Sequence, residues 1–205
     1  MSSTSQDPIL IGLPDDLKAP RFEPAGDAAA QIALNGQAGE MVEVYDNPYG
    51  QRDVRFAARW LKERDWAVIL LPRDVLNVSE DIDRIAGAVT GAGVGTMIGL
   101  GLDAALPGPF AAWRLKPDGT TLNIFFMAHV AAASLVFAPD RRLAILDDGE
   151  CLVLAGPAGF VRRAVGEVGA AWHYFETERR AEERFGRPGW LLDVLAHYQP
   201  FALAA

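Results

Sequence analysis

The chain has little sulfur chemistry to offer. Cys151 is the single cysteine among 205 residues, which excludes an internal disulfide and a thiolate metal cluster and suits a reducing compartment. Histidine is scarce too, at His129, His173 and His197. Basic residues are outnumbered, with nineteen Lys and Arg against twenty-seven Asp and Glu, for a formal charge of −8. No Lys/Arg stripe with interleaved aromatics occurs, and an acidic surface repels phosphate backbones, so nucleic acid is excluded as a partner. The opening MSSTSQDPILIGLPDD has neither the basic n-region nor the sustained apolar run of a secretory signal. No lipidation pattern is seen, and a cytoplasmic location is expected.

What is present is apolar material. Hydrophobic residues make up 50% of the chain, enough for a real core, and the length fits one domain of moderate size. The acidic excess is uneven: residues 1–50 carry Asp7, Asp15, Asp16, Glu23, Asp27, Glu40, Glu43 and Asp46 against Lys18 and Arg21, and the rest is nearly balanced. Residues 1–26 contain Pro8, Pro14, Pro20 and Pro24, and proline fixes φ and removes a donor, so an extended acidic arm is predicted there. The single domain is then 27–205.

Within that domain the pattern predicts α+β. MVEVY at 41–45 alternates like a half-buried strand and is followed by turn residues at 46–50. Helical spacing of Val54, Ala57, Ala58 and Leu61 predicts a helix over 52–64. WAVILLP, ending at Pro72, reads as a buried strand. Asn77 and Glu80 make a capping-box-like start to a helix carrying Ile82, Ile85, Ala86 and Val89. Turn signals at 117–120 and 147–150 predict two hairpins, 111–116 with 121–126 and 142–146 with 151–155, and hence a mainly antiparallel sheet over about 111–155. Residues 122–138 fit either strands or a buried helix. One long amphipathic helix is expected over 158–185, with Glu176 and Arg180 spaced for an ion pair, and a short helix over WLLDVLAHY.

One element stands apart. Ile85 to Leu102 holds no charge, and glycines recur at Gly87, Gly91, Gly95 and Gly99. On a helix this spacing bares a groove of backbone, the small-xxx-small pattern of membrane helix pairs. Each glycine costs an aqueous helix about 1 kcal/mol relative to alanine. The segment is therefore read as a close-packing or loop-like piece of a soluble domain, ahead of a membrane insertion. Gly91-Ala92-Gly93-Val94-Gly95 lacks the strand-to-helix setting of a dinucleotide loop, and no Lys-Ser/Thr follows. No cofactor is expected.

Cys151 could act as a nucleophile with His129 as base and Asp148 or Asp147 orienting it. Its place at the head of CLVLAG instead reads as a buried, inert thiol. His173 with Glu176, and Asp193 with His197, share helix faces but make no metal site by spacing, so no metal is expected. Asp147, Asp148 and Glu150 are explained by turn chemistry.

The absence of a catalytic constellation favours a non-enzymatic, immunity-like or escort-like protein that binds another protein or itself, with Gly87, Gly91, Gly95, Gly99 and Trp190 as interaction candidates. Two other readings are a small-molecule enzyme with a site near His129 and Cys151, and a membrane-associated protein using the glycine ladder.

Overall fold

A computed structural model describes residues 22–103, 108–129, 133–184 and 189–204. In chain order the elements are β1 (Phe22–Pro24), α1 (Ala28–Met41), β2 (Val42–Asp46), β3 (Arg52–Phe56), α2 (Ala58–Glu63), β4 (Ala67–Pro72), α3 (Ser79–Gly91) and β5 (Met97–Leu102). They continue with β6 (Ala112–Leu115), α4 (Gly119–Ala128), β7 (Ala133–Phe137), β8 (Ala144–Asp147), β9 (Cys151–Gly156), α5 (Ala158–Val165), α6 (Val168–Arg184) and α7 (Trp190–Tyr198). A short 3-10 turn, Arg73–Asn77, follows β4.

Seven strands form one antiparallel sheet in the order β1-β6-β5-β7-β8-β9-β4, and β2 and β3 form a separate ribbon. Side chains alternate across the sheet, so its core is split in two. Leu152 and Leu154 of β9 enter a first face with residues of α3, α4, α5 and the start of α6. Cys151, Val153 and Ala155 enter a second face with α1, the ribbon, α2 and α7. Strands covered on both faces are continuously apolar, which explains ASLVF and CLVLAG. The sheet's edges are muted. β1 is three residues long and includes Pro24, and Leu203 donates its N–H to the Val68 carbonyl at the other edge, at 2.9 Å. The fold is α+β with a mainly antiparallel sheet. Of the expected arm, 22–24 is edge strand and 1–21 lies outside the described residues.

Several local expectations are corrected. Residues 52–56 are strand, not helix, because Val54 and Phe56 alternate with Asp53 and Arg55 and are buried against the second face; only 58–63 is helical. The first predicted hairpin is a strand followed by a helix. Asp118 caps α4, accepting from the Thr121 N–H at 2.8 Å and the Thr121 hydroxyl at 2.9 Å, so the Asp-Gly pair serves a helix start. Residues 122–138 are partly helix, to Ala128, and partly strand from Ala133. The N-cap of α3 is Val78, and no side chain caps it, so the Asn77 box does not form. The long helix over 158–185 breaks at Gly166, whose φ of +78° is left-handed. The Glu176–Arg180 pair is present at 3.3 Å, and the sheet also recruits β1, β4 and β5 from outside 111–155.

The glycine ladder is not one helix. Gly87 and Gly91 lie on α3, Gly95 in the connection after it, and Gly99 on β5. Close packing occurs only in the strand half. A Cβ on Gly99 would sit 2.6 Å from Phe125 Cζ, and one on Gly101 would run into the His129 ring. Phe125 of α4 and His129 just after it thus pack on bare β5 backbone. Around Gly87 and Gly95 there is open space. Among the described residues no helix is long and apolar enough to cross a membrane.

Candidate functional site

The chemistry of this chain gathers at the turn joining β8 to β9. Asp147 ends β8, and strand alternation turns it to the first face beside Ile145. Its Oδ2 accepts from Arg73 Nη2 at 2.9 Å and Nε at 3.2 Å, and its Oδ1 accepts from the Gly149 N–H at 3.0 Å. Arg73 Nη1 also reaches the Gly149 carbonyl at 3.1 Å. Burial raises the Asp147 pKa, opposed by the Gly149 N–H and the guanidinium.

Asp148 turns to the second face. Its Oδ1 accepts the N–H groups of Cys151 at 2.7 Å and Glu150 at 2.9 Å, the arrangement of an Asx turn. Its Oδ2 accepts the Cys151 thiol proton at 3.2 Å. Burial lifts this carboxyl to about 7 despite those donors, and nearby Asp53 adds to the rise. The same burial and the Asp148 charge push the Cys151 thiol well above its ordinary value. A reactive thiolate needs the opposite, a positive neighbour and exposure.

Around this pair stand groups from distant parts of the chain. Tyr198, fully buried at the end of α7, accepts the Phe56 N–H at 3.0 Å, and His197 donates from Nε2 to the Phe56 carbonyl at 2.8 Å. Burial lowers the His197 pKa and raises that of Tyr198. On the ribbon, Tyr45 pairs across the ladder with Asp53, and Arg55 lies 4.3 Å above the Tyr45 ring. Arg55 also bonds Glu43 at 2.7 Å and approaches Asp193 at 3.8 Å. Burial, with Asp53 and Asp148, raises the Tyr45 pKa.

The structure therefore brings Cys151 and Asp148 together and sets His129 apart from them. His129 lies on the first face over Gly101, with its Nδ1–H donated to the Phe125 carbonyl at 2.8 Å. The sheet separates it from Cys151. The other histidines do not converge either. His173 is exposed on α6, Glu176 is held by Arg179 at 2.6 Å, and His197 serves Phe56. Among the described residues no group of three or more His, Cys, Asp or Glu could hold a metal ion. Of the interaction candidates, Gly87 is exposed, Gly99 is covered by Phe125, and the side chain of Trp190 lies outside those described.

Sequence reasoning missed Arg73, Tyr198 and Ser134. Ser134 pairs in register with Asp147 and Gly101, is fully buried, and its hydroxyl makes no hydrogen bond. Nothing local marks any of the three, since each partner is far along the chain. Taken together, the site can hold a proton on Asp148 near neutral pH, and its thiol is buried and held protonated. Comparison with protein-family models, curated proteins and solved structures finds no match to this chain.

Proposed function

We propose that the protein is not an enzyme and acts by binding a basic protein partner along the outer edge of β2. The observation that carries this reading is the state of that edge. Met41 accepts from the Ala57 N–H, and the N–H and C=O of Phe56 point outward to α7. In an antiparallel ladder, inward and outward residues alternate. The ladder bonds of the ribbon thus fall at Glu43–Arg55 and Tyr45–Asp53, and the main-chain groups of Val44 point away from β3. Among the described residues no strand pairs with that side of β2. An added strand gains its affinity from such unpaired main-chain groups.

The surroundings match. Val44 is 46% exposed and Tyr49 50%, offering apolar contact beside the exposed Asp46. Acidic residues are also in excess over the first fifty residues. Catalysis near His129 and Cys151 is not favoured, because the two lie on opposite faces and the thiol is held protonated.

Affinity capture from the native lysate tests this, comparing the wild-type chain with Val44→Pro. Proline there removes an outward N–H without touching the ladder, as edge strands tolerate. A basic partner recovered in stoichiometric amount by wild type, and at least tenfold less by V44P, is expected. No basic partner, or equal recovery by both chains, refutes the proposal.

A further inference from the structure

Between α3, the α5–α6 junction and the end of β4 lies a cleft of about 250 Å³. It opens on the first face, whereas the β2–β3 ribbon packs on the second, so it is independent of the partner-binding edge. Its floor is apolar, formed by Leu71, Val75, Ile85 and Ala171. The left-handed turn at Gly166 separates α5 from α6 and shapes the mouth. Its volume is below the roughly 300–1,000 Å³ of drug-sized sites, so an occupant must be small.

Charge decides what kind. Arg84 lies across Gly166, its Nε and Nη1 each 3.6 Å from where a Cβ would be. That guanidinium is already engaged: Nη1 donates to Asp81 Oδ1 at 2.7 Å and to the Val165 carbonyl at 3.4 Å. Its charge is thereby balanced locally. Glu167, on the rim, has no ion pair among the described residues. Tyr174 closes the mouth at 44% exposure. Burial and then the charges of Glu178 and Asp74 raise its pKa. The net field at the opening is negative, over an apolar floor and beside an aromatic ring, a combination that suits a cation with an apolar body.

We propose that this cleft binds a small organic amine, its body on Leu71 and Ile85 and its ammonium at the rim between Glu167 and Tyr174. The test titrates the full-length chain with 2-phenylethylammonium, neutral 2-phenylethanol and anionic 3-phenylpropanoate, followed by calorimetry and ligand-observed NMR. Saturable binding of the amine is expected, two- to fivefold tighter than the alcohol, with the carboxylate weakest. Glu167→Gln brings the amine down to the alcohol's affinity. Ala170→Leu, at an exposed helical position on the rim, abolishes binding of both without altering the melting temperature. If A170L does not fold, E167Q decides alone. No saturable binding in the millimolar range, a carboxylate that binds as well as the amine, or amine binding unchanged in E167Q overturns the proposal.

Discussion

Replacing Asp148 by asparagine isolates a buried carboxyl whose pKa burial lifts to about 7. In the folded protein its pKa stands at about 7, against 3.8 for an ordinary aspartate. Between those values the folded chain keeps a proton that the unfolded chain releases. This contribution is fully present below about pH 4, is lost as pH rises through 7, and is flat above that. That difference corresponds to about 4 kcal/mol in all, more than half of it between pH 5 and pH 8. Other groups contribute as well. The raised pKa values of Asp147 and Asp53 have the same sign, and the lowered pKa of His197 has the opposite sign. The lowered pKa of Glu176, at about 2, acts only in more acid solution. Taking the difference between wild type and D148N at each pH removes the contributions of Asp147, His197 and Glu176, whereas Asp53, whose charge acts on Asp148, is part of what the difference reads. Asparagine keeps the Oδ1 that accepts from Glu150 and Cys151, so the turn is retained. Urea denaturation at pH 5, 6, 7 and 8 is the assay. D148N should gain about 2–3 kcal/mol on wild type from pH 5 to pH 8, a relative midpoint shift of about 1 M for a slope near 2 kcal/mol per molar. A difference constant across the series to within about 0.5 kcal/mol would refute the burial argument.

Within the glycine ladder, alanine should have opposite effects at its two ends. Gly101→Ala drives a methyl into the His129 ring and should lower stability by about 1–3 kcal/mol, whereas Gly87→Ala on the exposed face of α3 should raise it by about 0.5–1 kcal/mol; thermal melts showing the same sign for both would contradict the split. Cys151 should ignore an aromatic disulfide reagent at pH 8 in the native protein and titrate as one thiol in urea, and rapid native labelling would contradict its burial.

Elements built from local pattern were legible in the sequence. WAVILLP is β4, the Asp-Asp-Gly-Glu turn joins β8 to β9, and the apolar stripe of 190–198 is α7. Legibility failed where one signal has two uses. Asp118-Gly119 fits a hairpin turn and a helix cap equally well, and only the packing of Phe125 on Gly99 of β5 and the burial of Phe126 in the first-face core decide for helix. Residues 52–56 satisfy both periods over so short a stretch that packing decides for the strand. The ladder reads as close packing, but its partner, α4, covers residues that fit a hairpin strand over 121–126 and a buried helix alike. At the site, Asp148 and Cys151 were visible as turn and strand neighbours. Their surroundings were not, because Tyr198 meets this region through Phe56, 142 residues earlier in the chain.

Asp147 and Asp148 are adjacent in sequence, yet they belong to different compartments of the molecule. The sheet acts as a partition between them. Proton uptake by Asp148 is addressed to the layer holding the ribbon and α7. The layer holding Arg73 and α3 contains Asp147, whose charge is matched by that guanidinium. One dipeptide thereby sets a carboxyl on each side of the sheet, one matched by a cation and the other by a thiol.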